Sequence, residues 1–126
     1  MSDPPQVTLH VCVTCRRDDE PEDGPRTGAA LARAAATAAP AGVTVVPVKC
    51  LATCKRGPAA TMSRPGAWSY VLGGLGTEDA VEALMEGARL YATDPSGLLP
   101  WRGRPETLKR GLIARLPPPP VPETTP

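Results

Sequence analysis

The chain has 126 residues and a formal net charge of +1, from 14 basic and 13 acidic side chains. This is the length of one domain, and the balanced charge excludes the strongly basic surface typical of nucleic-acid-binding proteins. No apolar run reaches the length of a membrane span, and the first residues show neither the basic nor the apolar region of a signal peptide. We therefore expect a cytoplasmic protein that binds neither nucleic acid nor membranes.

The first half of the chain predicts a strand, a helix and a second strand. Residues 6–11 alternate and are rich in β-forming side chains, so they predict a strand. The alanine-rich residues 28–39 predict a helix that is capped by Thr27. Residues 43–49 predict a second strand, in which Pro47 indicates an edge position or a bulge because proline has no backbone N–H.

The second half predicts a hairpin followed by helices. Residues 59–63 and 67–72 predict two strands, because a Pro-Gly turn lies between them. Thr77 is predicted to cap a second helix, whose buried face is marked by the helical spacing of Val81, Leu84, Met85, Ala88 and Tyr91. Residues 105–110 predict a short third helix that begins at a proline.

The two ends of the chain are expected to lie outside the folded domain. Residues 117–126 are rich in proline and cannot build a core, so they predict a disordered tail, and residues 1–5 are expected to be disordered as well. Residues 6–116 are therefore expected to form one folded domain. Its order of elements predicts an α/β fold in which a mixed sheet of about four strands is flanked by helices.

All four cysteines fall in two close pairs. Cys12 and Cys15 follow the first predicted strand, and Cys50 and Cys54 follow the second, with 34 residues between the pairs. A single crossover normally joins two parallel strands, so both strand ends should lie at one edge of the sheet, about 4.8 Å apart. The two pairs are therefore expected to meet. In the cytoplasm such pairs are more often metal ligands or redox centres than disulfides.

Three chemistries fit four thiolates in two pairs. A 2Fe–2S cluster needs two protein thiolates on each iron, which suits this division. A tetrahedral zinc site also needs four thiolates, and neither spacing excludes it. Dithiol chemistry at Cys12 and Cys15 would give a thiol oxidoreductase, but it leaves Cys50 and Cys54 unexplained. The residues alone leave all three interpretations open.

Other residues are candidates for supporting roles near the cysteines. Four basic side chains would partly offset the thiolate charge, namely Lys49, Lys55, Arg56 and Arg64. An ordinary solvated surface is the simpler explanation for these charges. Small residues would let backbone N–H groups approach the sulfurs, at Ala52, Gly57, Ala59 and Ala60. An acidic run forms either a solvated loop or a surface that attracts a basic redox partner, and it comprises Asp18, Asp19, Glu20, Glu22 and Asp23. His10 is expected to be hydrogen-bonded on its strand rather than to bind metal.

The cysteine pattern resembles that of the thioredoxin-like 2Fe–2S ferredoxins, a group that includes the cluster-bearing small flavoprotein subunit of respiratory complex I. Like them, this chain has one cysteine pair after the first strand and a Cys-x3-Cys pair after the second. Its first pair is closer together than theirs. The resemblance implies a thioredoxin-like fold and a 2Fe–2S cluster held by Cys12, Cys15, Cys50 and Cys54.

Longer segments resemble a bacterial family of predicted metal-binding proteins of unknown function, some of them associated with cobalamin-synthesis genes. The similarity covers about residues 7–118 and includes Cys-Val-Thr-Cys-Arg, Lys-Cys-Leu-Ala-Thr-Cys-Lys-Arg, Arg-Pro-Gly-Ala-Trp-Ser-Tyr-Val-Leu-Gly-Gly-Leu and Trp-Arg-Gly-Arg-Pro-Glu-Thr-Leu. We therefore expect a ferredoxin-like electron carrier with no catalytic activity of its own and an unidentified redox partner protein. The alternatives are a zinc-binding structural or metal-trafficking protein and a thiol oxidoreductase.

Overall fold

The structure is a computed structural model that describes residues 6–13, 27–49, 57–76, 78–94 and 97–118. Within these ranges, the elements follow the order β1 (Val7–Cys12), α1 (Thr27–Ala38), β2 (Val43–Val48), β3 (Ala60–Ser63), β4 (Ser69–Leu72), α2 (Ala80–Thr93), α3 (Glu106–Arg110) and β5 (Leu112–Leu116). None of the helices described is long and apolar enough to cross a membrane.

The five strands form one mixed sheet in the order β2-β1-β3-β4-β5. The pair β1 and β2 is parallel, as predicted for two strands joined by a helix, and runs in register from Val7 opposite Val43 to Cys12 opposite Val48. The remaining neighbours are antiparallel. Because β2 is an edge strand, the edge position predicted from Pro47 is confirmed.

One face of the sheet is buried beneath the helices. Val7, Leu9 and Val11 alternate along β1 and are fully buried, whereas Thr8 and His10 on the opposite face are only half-buried. Helix α1 packs against β1 and β2 and also contacts α2. Alternation of buried and half-buried residues is the pattern of a strand with one covered face, so the core lies on the helical side.

Helix α2 buries the side that its spacing predicts. Leu84, Ala88 and Tyr91 are buried, whereas Val81 and Met85 are half-buried at the margin of the same face. The buried face also includes small residues that allow close approach of neighbouring elements, namely Ala80, Ala83 and Gly87. These small residues allow α1 and α3 to pack against α2, and the side chain of Leu108 on α3 occupies the space beside Gly87.

The start of α2 differs from the prediction. The helix begins at Ala80, with Asp79 as its N-cap residue, and Thr77 lies outside the described residues. The Asp79 side chain makes no capping hydrogen bond. Its Oδ2 instead accepts a hydrogen bond of 2.7 Å from the Thr107 hydroxyl, which ties the start of α2 to α3.

Two tyrosines join α2 to β4 in the core. The rings of Tyr70 and Tyr91 meet edge to face, with centroids 5.9 Å apart. The Tyr91 hydroxyl donates to the Trp68 carbonyl, and the Arg64 guanidinium lies 5.1 Å from the centroid of the Tyr91 ring. Burial raises the pKa of Tyr91 because the ionised phenolate would lose its hydration, and the nearby Arg64 charge opposes that rise only in part.

The sheet is larger than the sequence predicted. Residues 112–116 form β5, which pairs with β4, and a register shift lies between Val71 and Leu72. Helix α1 begins at Thr27, one residue earlier than predicted, and α3 covers Glu106–Arg110 as expected. The expected disordered ends, residues 1–5 and most of the tail from residue 119, lie outside the described ranges.

Candidate metal centre

The candidate centre lies where β1 and β2 leave the sheet side by side. Cys12 is the last residue of β1 and pairs with Val48, the last residue of β2. The Val13 amide donates to the Val48 carbonyl at 2.8 Å, so the parallel pairing continues to the point of exit. Cys12 therefore lies beside the end of β2, from which the chain continues to Cys50.

The thiol of Cys12 is held firmly by its surroundings. The residue has 0% relative exposure, and its Sγ donates to the Lys49 carbonyl oxygen at 3.4 Å. Its amide donates to the Ala59 carbonyl at 3.0 Å. The side chain of Cys12 therefore reaches across the two strands to the residue that immediately precedes Cys50.

The segment before β3 forms another wall of the centre. Ala59 is buried and shares a small apolar cluster with Cys12, separate from the main core. Pro58 is fully buried, follows a cis Gly57–Pro58 peptide bond, and accepts a 3.0 Å hydrogen bond from the amide of Leu75. Sequence reasoning identified Gly57 and Ala59 by their size but missed Pro58. The Gly-Pro dipeptide next to a strand was the available signal.

Among the basic residues considered for offsetting thiolate charge, Arg64 lies away from Cys12. Strand β3 runs antiparallel to β1, so its last residue, Ser63, pairs with Thr8 near the start of β1. Arg64 thus lies at the sheet end opposite Cys12, where its Nη2 donates to the Asp94 carbonyl at 2.6 Å. Lys49 does lie at the candidate centre, directly after β2.

The remaining predicted site residues have different outcomes. His10 behaves as expected, since its Nδ1 lies 3.2 Å from the Thr61 hydroxyl across the sheet. Ala60 is buried in β3 and pairs with Val11 beside Cys12. The rest of the predicted residues lie outside the described ranges, namely Cys15, residues 18–23, Cys50, Ala52, Cys54, Lys55 and Arg56.

The described part of the centre fits a thiolate-bound metal in two respects. Cys12 supplies a soft sulfur donor, the ligand type that selects zinc, cuprous copper and iron–sulfur clusters. Its position beneath Ala59 is closed to water, which suits a closed site. The described residues contain no group of three or more potential His, Cys, Asp or Glu ligands. The other three cysteines were outside that search.

Comparison with known proteins places the chain in a family. Residues 9–118 match the family described as "Protein of unknown function (DUF1636)". The chain belongs to this family. The match extends from β1 to the residues after β5 and so includes both cysteine pairs. No curated protein matches the chain.

A solved structure shows which fold this family member has. The chain is similar to a structure described as a thioredoxin-like [2Fe-2S] ferredoxin from Aquifex aeolicus, with a TM-score of 0.52 and 19% sequence identity. The similarity covers 93% of this chain and 98% of that one. At this identity the likeness shows the fold, and the predicted thioredoxin-like α/β fold is thereby confirmed.

Proposed function

We propose that this protein is a small electron carrier that holds a 2Fe–2S cluster and has no catalytic activity of its own. The proposed ligands are Cys12, Cys15, Cys50 and Cys54. The observation that carries the proposal is the contact between the Cys12 sulfur and the Lys49 carbonyl oxygen, 3.4 Å apart. It links the first cysteine pair to the residue next to the second pair.

Chain connectivity supports a single site for the four thiolates. Lys49 directly precedes Cys50, so the carbonyl group that contacts the Cys12 sulfur belongs to the peptide bond between Lys49 and Cys50. Cys15 is three residues after Cys12, so their Cα atoms can be at most about 11 Å apart. Cys54 is four residues after Cys50, which limits that separation to about 14 Å. All four sulfurs can therefore reach one cluster without any change in the sheet.

The chain's own residues supply the conditions that such a cluster needs. A bound 2Fe–2S cluster supplies one-electron transfer at a potential that its surroundings set. Cys12 would hold it from a position closed to water, beside the small residue Ala59. The rigid sheet fixes Cys12 through backbone bonds to Ala59 on one side and β2 on the other. A site with so little freedom would change little in geometry between oxidised and reduced forms.

An electron carrier of this kind works in the cytoplasm with a redox partner protein. The net charge of +1 gives the whole chain no strong field for an acidic or a basic partner. Local charges near the centre would then decide the orientation of docking. Lys49, which is exposed directly beside Cys12, is the described residue best placed to contribute.

The test is anaerobic purification followed by an absorption spectrum and analysis for iron, sulfide and zinc. A red-brown protein with about two irons and two sulfides per chain supports the proposal. A colourless protein with about one zinc per chain would contradict it and favour a structural or trafficking role. A colourless protein that stays metal-free after reconstitution would instead favour thiol chemistry.

Serine substitution at each cysteine tests whether the four residues share one site. We expect Cys12→Ser, Cys15→Ser, Cys50→Ser and Cys54→Ser to lower iron content alike, because serine is a harder and poorer ligand for iron–sulfur centres. His10→Gln is the matched control, since His10 lies on the same strand and is held by Thr61. Loss confined to Cys12 and Cys15 would contradict the shared site.

A further inference from the structure

A cavity lies on the covered side of the sheet, near the edge strand β5 and away from β2. It has a volume of about 390 Å³ and is bordered by Tyr70 of β4, by Leu112 and Arg115 of β5, and by residues 94, 98–101 and 104. This volume is at the lower end of small-molecule sites, which occupy about 300–1,000 Å³. The cavity shares none of its lining residues with the candidate metal centre.

Arg104 gives the cavity a buried positive charge. The residue has 8% relative exposure, and its guanidinium donates to the backbone carbonyls of Pro100, at 3.1 Å, and Leu99. Within the described ranges, no carboxylate forms an ion pair with it. Buried charges are costly unless they are paired, and two neutral carbonyls do not neutralise a guanidinium.

Arg115 adds a second positive charge on the same wall. It lies opposite Tyr70 in the β4–β5 pairing, and its guanidinium lies 5.0 Å from the centroid of the Trp68 ring. The pKa of Arg104 is lowered, first by burial and also by the charge of Arg115, whereas Tyr70 acts in the opposite direction. Both arginine side chains border the same cavity, where a negative charge would be stabilised.

Flat and apolar surfaces complete the cavity. Trp101 is 61% exposed, and its ring lies under two cations, with the Arg104 guanidinium 5.1 Å and the Lys109 ammonium 5.0 Å from its centroid. Leu98 and Leu112 form apolar parts of the wall. One acidic residue, Asp94, also borders the cavity, and its Oδ2 accepts a 2.9 Å hydrogen bond from the amide of Leu98. The two arginines still leave an excess of positive charge in the lining.

We propose that this cavity binds a small aromatic carboxylate, whose carboxylate pairs with Arg104 and Arg115 and whose ring packs against Trp101. A guanidinium and a carboxylate form strong, directional hydrogen bonds, and Arg104 has more N–H groups than the two bonded to carbonyls. An aromatic ring suits the exposed indole, because the ring can pack against its face or edge.

A singly charged carboxylate fits this cavity better than phosphate does. A phosphate dianion would lose more hydration on entering a space lined by Leu98, Leu112 and aromatic rings. A carboxylate needs fewer donors and can accept from both arginines at once. The proposal is independent of the proposed cluster, since β1 and β5 are three strand spacings apart, roughly 14 Å.

Benzoate is the probe for the first test, with the full chain titrated at low salt and neutral pH. Isothermal titration calorimetry and tryptophan fluorescence should both show saturable binding, because Trp101 and Trp68 lie beside the two arginines. Benzyl alcohol has a similar shape and no charge, so we expect it to bind at least tenfold more weakly. Inorganic phosphate should also bind at least tenfold more weakly than benzoate.

Arg115→Gln is the informative variant because Arg115 is exposed and its replacement leaves the core intact. We expect at least a tenfold loss of benzoate affinity. Arg110→Gln is the matched control, since Arg110 is an exposed arginine on α3 that pairs with Glu106 and does not border the cavity. It should bind benzoate as the unchanged chain does.

Three results would overturn the proposal. They are absence of saturable benzoate binding, equal binding of benzyl alcohol, and an Arg115→Gln affinity equal to that of Arg110→Gln. If benzoate does not bind, binding of a polyglutamate peptide would identify the surface as a docking site for an acidic polypeptide. Iron content enters none of these readouts, so failure here is distinguishable from failure of the proposed electron carrier.

Discussion

The sulfur of Cys12 and the carbonyl oxygen of Lys49 lie 3.4 Å apart although the two residues are 37 positions apart in sequence. The contact spans the only parallel strand pair of the described sheet, at the edge where both strands end. A thiol that donates to this carbonyl is protonated, whereas a metal-bound sulfur is a thiolate. Metal binding would therefore exchange this hydrogen bond for a metal–sulfur bond.

Cys12→Ser should separate the ligand role of this residue from its packing role. The serine hydroxyl can still donate to the Lys49 carbonyl. We therefore expect the free energies of unfolding of the metal-free variant and the metal-free parent to differ by no more than about 1 kcal/mol. The measurement is urea denaturation followed by circular dichroism, with chelator present. A variant that is unfolded without denaturant would show that Cys12 is needed mainly for the fold.

Tyr91→Phe should remove part of the alkaline sensitivity of the protein. The pKa of Tyr91 is raised by burial, so above the ordinary tyrosine pKa of about 10 the unfolded chain loses this proton first. The buried, protonated Tyr91 therefore stabilises the fold fully below about pH 10, and this stabilisation is lost as the pH rises toward the raised pKa of Tyr91 in the folded protein. The parent should lose free energy of unfolding more steeply than the variant above pH 10, by urea denaturation.

At neutral pH the same substitution should be destabilising by about 1–2 kcal/mol. It removes the hydroxyl that donates to the Trp68 carbonyl while keeping the ring contact with Tyr70. The advantage of the parent at neutral pH should therefore shrink in alkali. Parallel stability curves for the two proteins across this range would contradict the assigned direction of the Tyr91 pKa.

Gly111→Ala should destabilise the turn between α3 and β5. An added Cβ would lie 2.8 Å from the Thr107 carbonyl oxygen and still closer to that of Gly73, and both are backbone atoms. Overpacking of this kind costs about 1–3 kcal/mol. The clash would also disturb the 2.7 Å hydrogen bond from the Gly73 amide to the Gly111 carbonyl.

Gly74→Ala is the control for that substitution. Gly74 has a φ of +65° and no atoms within 4 Å of an added Cβ, so only the left-handed backbone resists alanine there. We expect a cost of about 1 kcal/mol, below that of Gly111→Ala. Chemical denaturation of both variants gives the comparison, and a larger loss at Gly74 would mean that the contacts around Gly111 relax easily.

Much of the fold could be predicted because its elements have strong local signals. The parallel pair followed from two β-rich segments around one helix, and the edge position of β2 followed from Pro47. The face of α2 followed from the spacing of Leu84, Ala88 and Tyr91. In each case one residue type or one period determined the local structure, and tertiary packing agreed with it.

Strand β5 could not be predicted for a physical reason. Its residues, Leu112–Leu116, are half-buried or exposed and show no alternation, and its pairing with β4 is interrupted by a shift at Val71 and Leu72. A strand that depends on its neighbour for stability leaves little trace in its own composition. Helix α2 starts at Ala80, later than the sequence predicted. The bond between Asp79 and Thr107 at this point is a tertiary contact that the local sequence does not reveal.

The centre was predictable only in part. Cysteine spacing and strand order indicated where Cys12 lies, but they gave no information on the direction of β3, which carries Arg64 away from it. Pro58 was missed although the Gly-Pro dipeptide was a signal for it. The cavity around Arg104 had no distinctive pattern, because its lining comes together from distant parts of the chain. Such convergence is a property of the packed structure.

Pro47 also affects whether a strand from another chain can pair with the outer edge of β2. The Val48 carbonyl accepts from Val13, so the backbone of Val48 faces β1 and that of its neighbour Pro47 faces outward. The outer edge of β2 thus lacks an amide donor where another chain would pair. This edge leads to the candidate metal centre, and the missing donor disfavours the addition of a strand from another chain there.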